Sequence, residues 1–267
     1  MNETTTLAIG GWRRSIDAEL SRVAAEDLPV PQRLRDVIHY TLTGEGKRLR
    51  GLLLLGAYDA VEGGGSGDAA ALAASVEIVH AYSLVHADLP CMDNDTLRRG
   101  RPTAHRAFDV PLATIAGVAM VPLAVKQTVD GARRLGLDTA VSRRLVEVLM
   151  RASGASGMVG GQLMDLAGEG SELSVDALEQ VHGAKTGALI AASLTMGGIA
   201  ARGSEAACQA LRDAGGALGL AFQIADDVLD ATESSERLGK TAGADAALAK
   251  STYASAMGVG AARDRSA

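Results

Sequence analysis

Aromatic residues are scarce: two Phe, one Trp and four Tyr make up 3% of the 267 residues. Sheets favour aromatic and β-branched side chains, so this shortage, set beside 32 Gly and abundant Ala, argues against a β-rich fold and for closely packed helices. An excess of basic charge is missing too. With 26 Lys and Arg against 32 Asp and Glu, the net charge is -6, which argues against general affinity for nucleic acid. A local basic pocket stays compatible with that total, because charge placement decides what a site binds. The two cysteines, Cys91 and Cys208, match no zinc spacing and make no disulfide framework. Residues 1–12 lack the charged, apolar and small-residue order of a signal peptide. No uninterrupted apolar run reaches the roughly 20 residues of a membrane helix. The expectation is a cytoplasmic protein with no membrane span, and its 47% hydrophobic residues suffice for a sizeable core.

What is present reads as helices between short breaks. Helices are predicted over 12–25, 32–43, 49–61, 68–87, 112–135, 140–166, 175–201 and 205–229, with Gly-rich or Pro-containing breaks as stop signals. No stretch alternates in polarity as a strand would, and no repeat of fixed period occurs. The glycine run at 63–67 has helices of the same kind on both sides, so the chain is read as one domain over 1–267.

Two acidic clusters stand out. In the segment from Ala221 to Asp230, Asp226 and Asp230 lie four apart and share a helix face with Gln223, with Asp227 beside them. Like charges at this spacing repel unless a divalent cation neutralises them, and Mg2+ commonly takes one or two carboxylates together with phosphate oxygens. The second cluster, Asp88, Asp93 and Asp95, runs directly into Arg98, Arg99 and Arg101. Guanidinium forks match phosphate oxygens, so this pairing suits a metal-bound phosphate ester. A third basic group, Lys47, Arg48 and Arg50, occupies a similar loop-to-helix setting. Lys185 lies mid-helix among small apolar residues, where a charge is costly without a partner.

These blocks, in this order along nearly the whole chain, resemble the trans-isoprenyl diphosphate synthases, the family that includes farnesyl and geranylgeranyl diphosphate synthases. Gly46-Lys47-Arg48-Leu49-Arg50 is similar to the family's GKRxRP segment, and His80 through Thr103 to its first aspartate-rich region. Gly160 to Asp165, Lys185 to Ile190, Phe222 to Asp230, Gly239-Lys240-Thr241 and Lys250 to Tyr253 follow as further family blocks. The resemblance implies an all-α single-domain bundle around a central prenyl-chain cavity, a requirement for Mg2+, and a homodimer or a heteromer with a homologous chain. It implies that Lys47, Arg50, His80 and Arg99 bind isopentenyl diphosphate, and that Arg98, Lys185, Gln223 and Lys240 contact an allylic diphosphate. By the same resemblance Lys185, Thr186, Gln223 and Asp226 are catalytic, Asp88, Asp93, Asp226, Asp227 and Asp230 serve the metal, and Tyr82 with Ser83 limits chain length at C10 to C15.

The chain departs from the family pattern in several places. Gly51 replaces the proline of GKRxRP, and Ala87 replaces the first aspartate of the first metal motif. Asp88 is rotated roughly 100° around a helix from Ala87 and does not substitute for it directly. Thr96 and Val118 also stand where acidic residues are common, and the C-terminus is short. Three readings stay open: a short-chain synthase with altered metal binding, a cyclase or transferase to another acceptor, and a weak subunit that regulates an active partner. The Lys47, Arg50, His80 and Arg99 set favours the first, since a pure cyclase has no use for it.

Overall fold

The computed structural model describes residues 3–26, 30–63, 69–232 and 251–266. These residues divide into two compact units, one of residues 1–147 and 193–208, the other of 148–192 and 209–267.

The first unit is assembled around one helix. Helices α1 (Glu3–Ala24), α2 (Gln32–Leu42), α3 (Leu49–Glu62) and α4 (Ala70–Ala87) are followed by a two-stranded ribbon, β1 (Leu97–Arg98) and β2 (Arg101–Pro102). After it come α5 (Ala104–Ala107), α6 (Val110–Arg134) and α7 (Thr139–Ser153). Twelve of the 18 residues of α4 are buried, Glu77 among them, and the helix packs on α1, α3 and α6. Its alanines at 70, 71, 73 and 74 keep side chains short, so neighbouring helices approach from several sides. Helix α6 is capped by Asp109, whose carboxylate accepts the Leu112 amide at 2.7 Å.

By length and mean hydropathy α4 and α6 are both long and apolar enough to cross a membrane. In α4, 67% of that apolar stretch is buried inside the fold, so the core accounts for its composition.

The second unit contains α8 (Met158–Ala167), α9 (Val175–His182), a π-helical turn (Gly183–Gly187), α12 (Tyr253–Met257) and α13 (Val259–Ser266). The boundary between units falls within α7, α10 (Ala188–Ala200) and α11 (Glu205–Thr232). A small core of Leu178, Ile224, Val228, Tyr253 and Ala262 ties α9, α11, α12 and α13 together.

The helix expected over 140–166 is broken after Ser153, because Gly157 takes φ -132° and ψ -126°, outside the helical region. The ribbon is also new. Its strands are two residues long, too short to show alternation, and its turn places Arg99 and Gly100 at φ 54° and 74°. Helix α1 begins at Glu3, well before the predicted start at residue 12.

Close helix contact makes one glycine indispensable. A Cβ on Gly197 of α10 would stand 2.3 Å from the Leu54 carbonyl oxygen of α3, while one on Gly216 of α11 would meet nothing within 4 Å. Gly197→Ala is expected to destabilise the chain by about 2 kcal/mol. Gly216→Ala, within a helix and unobstructed, is expected to stabilise it by about 0.5 kcal/mol. Urea denaturation of the two variants reads the opposite signs; equal effects would contradict the packing described.

Candidate functional site

In the first unit a cluster of arginines surrounds the loop before α3. Arg13 donates to the Gly46 carbonyl at 3.0 Å, Arg48 to the Gly44 carbonyl at 2.6 Å, and Arg99 to the Glu45 carbonyl. Three consecutive carbonyls are thus taken by three guanidinium groups from α1, the loop itself and the ribbon. Arg48 adopts a left-handed φ of 53° and also donates to Asp17 at 2.7 Å. A Cβ on Gly46 would lie 2.6 Å from Arg99 Nη1, so only glycine admits that guanidinium so closely.

The ribbon carries the next layer. Arg98 donates through Nε and Nη2 to Asp88 and through Nη2 to Asp95 at 2.7 Å. Asp88 is 3% exposed. Burial pushes its carboxyl up to about 6 against the pull of Arg98, so at pH 7 it stays ionised and paired. The Thr103 hydroxyl donates to the Asp95 carbonyl at 2.8 Å, which leaves its oxygen to accept the Nδ1 proton of His105 at 3.1 Å.

These groups line a cleft with His80, Glu77, Arg48, Arg98, Arg99 and Arg101 on its walls. Burial, reinforced by Arg50, Arg99, Arg98 and Arg48, holds His80 well below the usual imidazole range, so the ring is neutral. Arg50 has a buried Nε with no hydrogen-bond partner among the described residues and is lowered by burial, with Glu77 opposing. Glu77 itself accepts the Gly51 amide at 2.8 Å, a bond that the proline expected at this position has no N–H to make.

Of the four residues expected to bind isopentenyl diphosphate, His80 and Arg99 line the cleft and Arg50 lies within electrostatic reach of both. Lys47 is exposed and does not line it. Asp88, expected to serve a metal, lies at the end of α4 and accepts hydrogen bonds from Arg98. Asp93 is half-buried in the following turn, its amide donating to the Ala87 carbonyl at 2.9 Å. Tyr82 is buried with its ring edge-on to His86, 5.7 Å between centroids, and burial raises its phenol. Ser83 donates to the His80 carbonyl at 2.7 Å.

In the second unit the π-helical turn presents Lys185 and Thr186. Such a turn widens a helix by one residue and recurs at functional sites. Its backbone abuts α8, where a Cβ on Gly161 would stand 2.2 Å from the Lys185 amide nitrogen. Lys185 donates to Asp165 at 2.7 Å, which supplies the partner its position demands. Thr186 donates to Gln223 at 3.0 Å, and Gln223 donates to Asp227 at 2.9 Å. The second oxygen of Asp227 accepts the buried Tyr253 amide at 2.9 Å and lies 4.0 Å from His182 Nε2. Asp165, His182, Lys185, Gln223, Asp227, Ser251 and Thr252 line a small cleft.

The structure therefore joins Thr186, Gln223 and Asp227 in one chain of hydrogen bonds. Asp227 has both oxygens committed to the protein, whereas the sequence reading gave it to a metal. Asp226 is half-buried and Asp230 is 7% exposed, one turn apart on α11. Lys240 lies outside the described residues. Among the described residues no group of three His, Cys, Asp or Glu side chains is gathered around a single metal position. Sequence reasoning missed Glu77, Asp165 and Tyr253 as partners of site residues; each is distant in sequence from what it holds.

Comparison with known proteins places these features in context. The polyprenyl synthetase family model matches residues 31–266. The chain is 43% identical over 231 residues to the mitochondrial geranylgeranyl pyrophosphate synthase 10 of Arabidopsis thaliana, covering 85% of this chain and 66% of that protein. It is 40% identical to the farnesyl diphosphate synthase of Micrococcus luteus, covering 86% and 78%. Relative to the Arabidopsis protein, then, the chain spans slightly under two thirds of its length. Among solved structures, an FPP/GFPP synthase from Zymomonas mobilis superposes with a TM-score of 0.83 at 34% identity, covering 97% of this chain and 88% of that one. A Helicobacter pylori geranyltransferase complexed with magnesium and isoprenyl diphosphate gives 0.84 at 29% identity, covering 97% and 86%.

Two outcomes follow from the buried carboxylates. The Tyr253 hydroxyl is buried with no hydrogen-bond partner among the described residues and burial pushes it up to about 12, so Tyr253→Phe is expected to leave the thermal midpoint unchanged or raised. Asp227→Ala, which strands the Tyr253 amide, is expected to cost about 2 kcal/mol; thermal melts of both variants check the contrast. Folding raises the Asp88 pKa from 3.8 to about 6, so the folded state holds that proton more tightly. Its contribution to stability is full below about 4 and is lost as pH rises through about 6. In urea titrations with chelator, the difference between Asp88→Asn and the native chain is expected to shift in the variant's favour across that window; a constant difference would rule this out.

Proposed function

We propose that this chain, which belongs to the polyprenyl synthetase family, is a short-chain trans-prenyltransferase that joins isopentenyl diphosphate to a short allylic diphosphate, with a C10 or C15 product and C20 as the upper end. The observation that carries this reading is the arginine-lined cleft of the first unit. Arg99 and Arg50 have no carboxylate in ion-pair distance among the described residues, and the neutral His80 ring lines the cleft together with Arg99. A diphosphate supplies the missing anion, and guanidinium forks suit its oxygens.

In the proposed reaction the allylic C–O bond breaks and its electron pair leaves with the diphosphate. The double bond of isopentenyl diphosphate then attacks the allylic cation, and a proton leaves the new C–C bond's neighbour to the released diphosphate. Lys185, held by Asp165, and Gln223, held between Thr186 and Asp227, are assigned to orient the allylic diphosphate and offset the charge that develops on it. Tyr82, buried against His86, is assigned to limit the length of the growing chain.

Hard carboxylate oxygens suit Mg2+, which takes one or two carboxylates and completes its shell with water and phosphate. Within the first unit Asp93, and separately within the second unit Asp226 and Asp230, are the residues proposed to take Mg2+. When bound, Mg2+ neutralises the departing diphosphate. The Helicobacter pylori relative, solved with magnesium and isoprenyl diphosphate, supports the use of Mg2+. Homodimerisation is proposed as well, supported by Ile115 and Val118 of α6, 54% and 61% exposed.

The test is incubation with Mg2+, isopentenyl diphosphate and each of the C5, C10 and C15 allylic diphosphates, with products weighed by mass spectrometry. Longer prenyl diphosphates are expected; hydrocarbons, alcohols or no conversion would overturn the reading. Ala87→Asp, which restores a carboxylate at the end of α4, is expected to raise turnover or lower the Mg2+ concentration at half-maximal rate.

A further inference from the structure

The cations of the first cleft differ in how much of their charge remains available. Arg98 is matched by Asp88 and Asp95, and Arg48 by Asp17. Arg101 is different. Its guanidinium lies over the Tyr40 ring, 4.2 Å from the centroid, and no carboxylate reaches it among the described residues. Tyr40 is fixed in turn: its hydroxyl donates to the Pro102 carbonyl at 2.7 Å, and its ring meets Phe108 edge-on, 5.5 Å between centroids.

An aromatic face and a carboxylate do different things to an arginine. A carboxylate takes two of the five N–H groups and cancels the charge. A ring beneath the guanidinium plane fixes its position while leaving the in-plane N–H groups and the net charge for an anion. Arg101 is in the second condition, half-buried, and lines the same cleft as Arg99 and His80. Its Nη1 lies 3.4 Å from where a Gly44 Cβ would be, and Arg99 Nη1 lies 2.6 Å from the same point on Gly46. The two guanidinium groups therefore bracket one loop. In the ribbon Arg101 pairs across from Arg98, so the exit strand carries the available charge and the entry strand the neutralised one.

We propose that Arg101, seated on Tyr40, is a diphosphate-binding residue of this cleft, acting beside Arg99 in the reading given above, on which it rests. Arg98, by contrast, is ion-paired to Asp88 and Asp95.

The experiment measures inorganic pyrophosphate binding by calorimetry and steady-state kinetics with isopentenyl diphosphate, for the native chain and Arg101→Gln, Arg101→Lys, Tyr40→Leu and Arg99→Gln. Arg101→Gln is expected to weaken pyrophosphate and raise KM for isopentenyl diphosphate about tenfold with kcat changed less than about twofold. Arg101→Lys is expected to recover part of the loss, and Tyr40→Leu to reproduce part of it with the thermal midpoint as a check on folding. If Arg99→Gln weakens binding while Arg101→Gln leaves both constants unchanged, the role given to Arg101 is wrong and the functional reading stands. If the native chain binds no pyrophosphate and neither Arg variant matters, both fall together.

Discussion

Crowded positive charge is the constraint around which the first unit is organised. Arg48, Arg50, Arg98 and Arg99 lie close enough that each of them depresses the protonation of His80. Such a group repels itself, and burial makes the repulsion stronger by lowering the local dielectric. Two devices hold it together. Backbone carbonyls of residues 44–46 absorb the guanidinium N–H groups of Arg13, Arg48 and Arg99, and Asp17, Asp88 and Asp95 cancel charge at two of the arginines. Of the arginines left without a carboxylate, Arg99 lines the cleft, where the diphosphate proposed above would relieve the repulsion.

The second unit solves a different problem with a wider helix. Lys185 and Thr186 lie in a π-helical turn whose backbone abuts α8. The π-helical turn shifts the register there, while Gly161 lets the backbones come within contact. Polar side chains then find partners: Asp165 for Lys185, and Gln223 for Thr186.

The helical character and most helix ends were readable from spacing and punctuation, because amphipathic patterns and glycine breaks act locally. The Arg98–Arg99 pair and the Gln223–Asp227 segment were legible for the same reason. What escaped was non-local. Asp88 reads as a metal ligand beside Asp93, yet the turn after α4 aims it at Arg98, 10 residues on. Asp227 reads as part of an acidic triad, yet its partner is the amide of residue 253, 26 positions later. The break after Ser153 and the widened turn at 183–187 depend on backbone fit against neighbours, which a composition window does not register.

That last bond to residue 253 has a consequence for biosynthesis. As the ribosome extends the chain, Asp227 emerges with Gln223 and Thr186 already made, while the amide that closes its second oxygen is still 26 residues from synthesis. Ser251, which bonds back to Ser171 and Leu173, arrives in the same late stretch. The polar chain that holds Gln223 is thus completed only once residue 253 has been made, and a nascent chain stalled before that point would lack the bond that closes Asp227.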